Sequence, residues 1–483
     1  MLNGVIRAAL GGSVILSLSL FLGTCQDYSF EELPRSIVEE GHDTIIIPAA
    51  TDIDILFVID NSGSMVGEQK QLAASFSSFT AVLDEKFGAG RYRIAVVTTG
   101  MESLGCPPCD PLITTSCMNE TGENGRFQDR RGSIVDESVD PPIFAFEPSD
   151  PACRVVTSAN LACFVDPAGG GLYGSGTVFV GTNGCGYEKG LAPIRLALSG
   201  GAVGGGADFP RPDAMLAVIV VSDEEDCGEV GDVTEGLSGL GGKVCYYASK
   251  GVGPDGAESD PQGKPYELTS VQETYDFLMG LKGNRVGMVK FVAVVGVEDE
   301  ANPDTTEIRY EDGTATSAIS PACLTPGCTS TGDSCKAFPG TRYLELAEEF
   351  TLEENGLVGS ICQSDFSALM TRIANFVTCP RDFKLSRPIA DPALVNILIN
   401  GVEVPRYSCD VTGRVESCAG PGAACSEGTC LPTWTRRLPG DPLNPFTAAK
   451  APGGCISFAD HYQPCELMAG GEIRFEVVYV VDR

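Results

Sequence analysis

Histidine occurs only twice in the 483 residues, at positions 42 and 461, and tryptophan once. With so little imidazole, no histidine pair stands at the helical spacing of a zinc protease, and His42 and His461 both lie far in sequence from the serine-rich stretch at 62–64. Basic residues are scarce as well. Lys and Arg total 33 against 65 Asp and Glu, a formal charge of -32, and none of them forms a run. Phosphate backbones need clustered cations, so nucleic acid is excluded as a partner, and basic groups or divalent cations suit the chain better. There is no Gly-rich phosphate loop ending in Lys-Ser or Lys-Thr and no Gly-x-Ser-x-Gly elbow. These absences point away from an enzyme. Beyond residue 24 no apolar stretch is long enough to span a bilayer.

What the chain has in abundance is acid and cysteine. Twenty cysteines beside two histidines imply an oxidising compartment and a disulfide framework. Zinc is the competing reading: Cys106-Pro-Pro-Cys109 offers one knuckle, but a second at ribbon spacing is missing. The start of the chain agrees with export. Arg7 is followed by an apolar stretch from Ala8 to Leu22, the length of a signal h-region. It ends in Leu22-Gly23-Thr24-Cys25, which resembles the lipobox of bacterial lipoproteins. That resemblance implies a signal peptide over 1–24, lipidation at Cys25 and, with Gln26 next, sorting to an outer membrane. An uncleaved anchor and a cleaved secretory signal are the alternatives. With Cys25 lipidated, 19 cysteines remain, an odd number that leaves one thiol free or intermolecular.

Residues 25–51 are acidic and lack periodicity, as in a tether, and His42 there is solvated. Four short Val- and Ile-rich runs follow, at 55–59, 94–97, 216–221 and 291–297, the pattern of strands buried on both faces of a parallel sheet. Between them lie helical patterns at 68–87, 187–199 and 271–282, with Pro193 confined to a first turn. A last helix carries Phe366, Leu369, Met370, Ile373 and Phe376, with Ser364 and Asp365 as N-capping residues. Alternating strands and helices predict a doubly wound, mainly parallel α/β domain over 52–379. Residues 101–181, rich in Pro, Gly, Asp and Cys, read as a disulfide-stapled insertion, and 228–268 as an acidic, Gly-rich loop. After Cys379 the pattern turns to strands. The runs VNILI and VEVPR around Asn400-Gly401 predict a hairpin, and 380–483 reads as a small disulfide-rich all-β module with six cysteines.

The motif that carries chemistry is Asp60-Asn61-Ser62-Gly63-Ser64-Met65, placed where the first strand run ends. Ligands of a doubly wound sheet bind beyond the carboxyl ends of its strands. Asp60, Ser62 and Ser64 are hard oxygen donors suited to Mg²⁺ or a similar cation, and Gly63 would let the loop fold tightly. Two more strand ends add Gly181-Thr182-Asn183 and Ser222-Asp223-Glu224. Together, DILFVIDNSGSM before a helix, RIAVVTT, Gly-Thr before a helix and AVIVVSDEED resemble a von Willebrand factor A (vWA) domain with its metal-ion-dependent adhesion site. The resemblance implies a Rossmann-like fold and a site made of Asp60, Ser62, Ser64, Thr182 (or Thr177) and Asp223, binding Mg²⁺, or Mn²⁺ or Ca²⁺. It also implies an open coordination position for an acidic side chain of a protein ligand. Glu224, Glu225 and Asp226 are either a negative rim that selects partners or a solvated loop stapled by Cys227. Family members also switch by sliding the last helix; Cys362 and Cys379 flank it here, and if both are in disulfides that movement would be restricted.

Two functions follow from different classes. One is an exported, lipid-anchored protein of the bacterial envelope that binds an acidic ligand through its cation. The other is a metal-independent structural scaffold of the envelope.

Overall fold

A computed structural model describes residues 40–47; 52–101 apart from 88–89; 123–228 apart from 140–141, 183, 185–187 and 201–207; most of 243–378; and, further on, 382–388, 395–409, 430–438, 454–459 and 473–481. The elements of the first part are β1 (Glu40–Ile47), β2 (Ile53–Ile59), α1 (Val66–Lys86), β3 (Tyr92–Thr98), β4 (Gly132–Asp136), β5 (Ile143–Phe146), α2 (Leu191–Leu198) and β6 (Met215–Ser222). Then come α3 (Lys243–Lys250), α4 (Val271–Leu281), β7 (Val289–Val295), the short strands β8 (Cys323–Leu324) and β9 (Lys336–Ala337), α5 (Thr341–Thr351), β10 (Gly356–Ser360) and α6 (Ser367–Thr378). The last part holds β11 (Asp382–Lys384), β12 (Asn396–Ile399), β13 (Val402–Glu403), β14 (Tyr407–Cys409), β15 (Cys430–Pro432), β16 (Trp434–Arg437), β17 (Cys455–Phe458) and β18 (Ile473–Val480).

Successive side chains of β2 point to opposite faces of its sheet, and both faces are covered. Ile53, Ile55, Phe57 and Ile59 pack with Leu72, Phe76, Phe79 and Leu83 of α1 and with Leu369 and Ile373 of α6. Leu56 and Val58 pack on the other side, with Leu191 and Ile194 of α2, Leu278 of α4 and Tyr343 and Phe350 of α5. The strands run parallel in the order β10-β7-β6-β2-β3. The protein is thus a mixed α/β structure, and the strand order reverses between β2 and β6. Beyond that point, at the carboxyl ends, a doubly wound sheet leaves its crevice. The opposite end of β2 is closed by Asp54, fully buried and held by Arg211 Nη2 at 2.7 Å.

Several elements differ from the sequence reading. Gly356–Ser360 forms the fifth parallel strand, although its two glycines and short length give no strand signal. Helix α3 lies inside 228–268, read as loop, and α5 was not foreseen. The insertion is no appendage. Phe164 stacks on Phe76 of α1 at 4.1 Å between ring centroids, and Val178, Phe179 and Val180 are fully buried in the same core. Its disulfide Cys153–Cys163 fixes the turn that delivers Phe164; Cys106 and Cys109 lie outside the described residues.

Residues 40–47, inside the segment read as a tether, form β1 and pair with β18 in a four-stranded sheet, β1-β18-β12-β13. The β-branched run Thr44–Ile47 favours a strand, and Gly41 allows the Tyr479 ring against the backbone where a Cβ would collide. The hairpin at Asn400-Gly401 is as expected, with φ of 49° and 78° at its two turn residues. After Thr378 none of the described residues is helical. Residues 1–24 and Cys25 lie outside the described residues.

Candidate metal centre

The β2–β6 ladder extends one residue past Ile59. Asp60 N–H donates to Val221 O at 2.9 Å, so Asp60 and Ser222 leave the sheet side by side. Asp60 is fully buried; its Oδ2 accepts from the Ser222 hydroxyl at 2.6 Å and its Oδ1 from Ser62 N–H at 2.7 Å. The second bond is an Asx turn that bends the loop back, and it leaves the Ser62 and Ser64 hydroxyls 3.1 Å apart. Gly63 is not what makes this possible. Its backbone is not left-handed, and a Cβ there would meet nothing nearer than Thr182 O at 3.9 Å. The turn belongs to Asp60.

The second loop is fastened to the first on both sides of Thr182. Gln69 Nε2, in the first turn of α1, donates to Gly181 O at 2.7 Å, and Gly184 N–H donates to Asn61 O at 2.8 Å. Gly181 has φ of 87°, a conformation for glycine, and a Cβ on Gly184 would collide with the Asn61 side chain. Thr182 is buried, and its Oγ1 has no hydrogen-bond partner. Thr177 is likewise buried with its Oγ1 unpartnered, and its N–H donates to Cys163 O at 2.8 Å, within the insertion. In the third loop Asp223 is buried with Oδ1 unpartnered, while its backbone carbonyl accepts from Phe338 N–H at 2.8 Å.

The electrostatics of this crevice are unbalanced. Burial pushes the Asp60 carboxyl above its ordinary range and the Asp223 carboxyl well above it; the charge of Asp60 adds to the rise at Asp223, and the Ser64 hydroxyl opposes it. Two more carboxyls share the site and were missed in the sequence. Glu68, in the first turn of α1, is raised to about 7 by burial and by Asp60, and its Oε2 is unpartnered. Glu188, just before α2, is raised well above the ordinary value by burial, Asp60 and Glu224, while the Thr99 hydroxyl bonds to its Oε2. Neither stands in a spacing that announces a ligand; only burial beside Asp60 marks them.

Unpartnered buried oxygens cost free energy unless something satisfies them. Thr182 Oγ1, Asp223 Oδ1 and Glu68 Oε2 are three such atoms around the loop that holds the Ser62–Ser64 pair. A hard dication fits this donor chemistry. Among the described residues no three carboxylate, thiol or imidazole groups form a ready-made cage; three of the five donors named from sequence are hydroxyls.

Of the acidic run after Asp223, Glu224 is half-buried, and the two residues after it are neither a rim nor a solvated loop. Glu225 and Asp226 are both buried. Glu225 accepts from Thr341 N–H and Arg342 N–H, each at 3.0 Å, satisfying the start of α5. Asp226 accepts from Leu191 N–H at 3.1 Å, at the start of α2, and from Arg342 Nε at 2.9 Å. Free amide groups at helix N-termini and buried guanidinium are what these carboxylates neutralise. Cys227, bridged to Cys245, ties the same loop to α3.

No family model matches the chain, and no curated protein matches it. Among solved structures it is similar to the pilus adhesin SpaC from Lactobacillus rhamnosus GG in its open conformation, with TM-score 0.31 and 10% identity over 92% of this chain and 41% of that one. It is also similar to the pilus adhesin RrgA from Streptococcus pneumoniae, with TM-score 0.25 and 9% identity over 92% and 59%. A third is the N-terminal three-domain part of the type V pili tip protein Mfa5 from Porphyromonas gingivalis, with TM-score 0.22 and 10% identity over 92% and 68%. The chain thus spans less than half the length of SpaC, and the functional reading rests on the site. The three described disulfides, Cys153–Cys163, Cys227–Cys245 and Cys323–Cys362, suit an oxidising, extracytoplasmic setting.

Proposed function

We propose that the chain is an exported, surface-anchored ligand-binding protein with a vWA-like domain over 52–379 and a β-rich module over 380–483. Its ligand is a protein carboxylate captured through a divalent cation. Asp60, Ser62, Ser64, Thr182 and Asp223 would hold that cation, Mg²⁺ or else Mn²⁺ or Ca²⁺, and lipid at Cys25 would tether the chain to an outer membrane. The bound dication supplies a positive coordination position for the partner's acidic side chain. The residues of the chain do the rest: Ser222 orients Asp60, and Gln69 and Asn61 hold the Thr182 loop against the first. The observation that carries this reading is the pair of unpartnered buried oxygens, Thr182 Oγ1 and Asp223 Oδ1, on loops adjoining two hydroxyls 3.1 Å apart. Nothing in this role requires catalysis.

The test is metal alone. Titrating Mg²⁺ or Mn²⁺ into the protein should raise its melting temperature, and Ser64→Ala and Thr182→Ala, which remove hydroxyl donors without unburying a charge, should abolish the rise. No rise at millimolar metal would favour the metal-independent scaffold instead.

A further inference from the structure

The first turn of α1 carries a buried carboxylate for which the fold supplies no counter-charge. Glu68 is 8% exposed, and its Oε2 accepts no hydrogen bond. Lys70, two residues on, is engaged instead with Glu137 at 2.5 Å and with the face of the Tyr173 ring. A glutamate in this turn often reaches back to cap its helix. Here the N-cap residue is Met65, which makes no side-chain hydrogen bond, so no capping box forms around Glu68. A buried carboxylate left in this state is costly unless a cation or further donors satisfy it.

Three features set this carboxylate over the crevice. Helical side chains tilt toward the helix N-terminus, so Glu68 leans over the 60–65 loop from which α1 starts. Its neighbour Gln69 donates to Gly181 O at 2.7 Å, one residue before Thr182. Glu68 also interacts electrostatically with both aspartates of the site: burial and then Asp60 raise its carboxyl, while burial, Asp60, Glu224 and Glu68 raise that of Asp223. It therefore adjoins all three loops. Glu188, the other extra carboxyl, is held differently. Its Oε2 accepts from the Thr99 hydroxyl just past β3, its backbone carbonyl accepts from Cys227 N–H, and it is only 1% exposed.

We propose that Glu68 is an internal ligand of the cation, filling the coordination position that the partner's carboxylate takes, so that a partner binds by displacing it. Resting on the cation reading above, this adds a regulator to the same site. Asp60, Ser62, Ser64, Thr182 and Asp223 would supply five oxygens, and a cation such as Mg²⁺ takes six ligands. A sixth donor from the chain itself leaves no free position until it moves aside. Exchanging one carboxylate for another leaves the charge around the cation unchanged. The partner's apparent affinity is then lowered by the fraction of sites that Glu68 occupies.

The experiment titrates magnesium chloride into the full chain by calorimetry, with and without sodium acetate as the carboxylate probe. The natural protein should bind Mg²⁺ with an affinity that acetate leaves unchanged, a measurement that needs no substitution. Glu68→Gln keeps the side-chain shape and removes its charge. It should bind Mg²⁺ about tenfold more weakly or worse, the scale of losing a supporting group at a metal site, and acetate should restore most of that loss. Glu68→Asp, one methylene shorter, is the second variant and should show the same acetate dependence; melting temperatures without metal check that both variants fold. Undiminished Mg²⁺ affinity in both variants overturns the role of Glu68 and leaves the cation reading standing. A loss that acetate does not restore places Glu68 away from the exchangeable position and overturns displacement. Acetate that tightens Mg²⁺ binding by the natural protein does the same, because the position is then already open. No Mg²⁺ binding by the natural protein overturns the cation reading and the internal ligand with it.

Discussion

The Ser222 hydroxyl donates to Asp60 Oδ2 at 2.6 Å across the boundary between β6 and β2, where the strand order reverses. A residue that no motif singles out therefore orients the first residue of the motif. Ser222→Ala should cost about 1.5–3 kcal/mol, the usual worth of a hydrogen bond to a charged group. It should also weaken Mg²⁺ binding, read by calorimetry, while circular dichroism stays unchanged. Unaltered metal affinity would show that Asp60 needs no such support.

Arg342 and Asp226 join α5 and α2 to the third loop. Both are buried, so Arg342→Leu strands a carboxylate and should destabilise the protein by about 3–5 kcal/mol. Urea unfolding measures this; a loss below about 1 kcal/mol would mean that the backbone amides alone satisfy Asp226.

Glu123 is buried beneath Thr98 and Gln128, and burial pushes its carboxyl from 4.5 up to about 7. Because the folded pKa is the higher one, the folded state holds the proton more tightly. The stabilisation is complete below about 4.5 and is lost as pH rises through about 7, a change on the order of 3 kcal/mol at most. Glu123→Gln should flatten that part of the stability profile and be more stable than the natural protein at pH 8. Parallel profiles for the two proteins would assign the pH dependence to other groups.

Phe164 joins the insertion to the core by its stack on Phe76. Phe164→Ala should cost about 3–5 kcal/mol and lower the single unfolding midpoint of the whole α/β part. A separate, earlier transition for the insertion alone would show that it folds independently.

Cys362, next to α6, is bridged to Cys323, and Glu300 accepts from Ser360 N–H at 2.8 Å and from Arg372 of α6 at 2.9 Å. Cys379 lies outside the described residues. Replacing Cys323 and Cys362 by Ser should speed amide exchange across residues 367–378 and leave β2 and β6 protected. Unchanged exchange in α6 would leave the Glu300 contacts as its restraint.

Most of the parallel strands and main helices were legible because each carries its own period: β2, β6 and β7 each contain a continuous apolar run, and α1 repeats Leu72, Phe76, Phe79 and Leu83. Asp60, Ser62, Ser64 and Asp223 could be named as candidates because strand ends in such a sheet face one crevice, and Asp60, Ser62 and Asp223 are buried in the structure. Strand β10 was not, since Gly356 and Gly359 give no apolar run and only pairing with β7 makes them a strand. Strand β1 depends in the same way on a partner more than four hundred residues later in the chain.

The carboxylates separate the two levels most clearly. Sequence alone determined that acid is abundant and that one serine-rich turn follows a buried strand, because composition and periodicity are local properties. Only the tertiary structure decided which acids are buried: Glu225 and Asp226 became helix anchors, Glu68 and Glu188 were drawn in beside Asp60, and Glu137 stayed at the surface. Burial and unlike neighbours are set by elements that meet across long stretches of chain, and no spacing between adjacent residues encodes them.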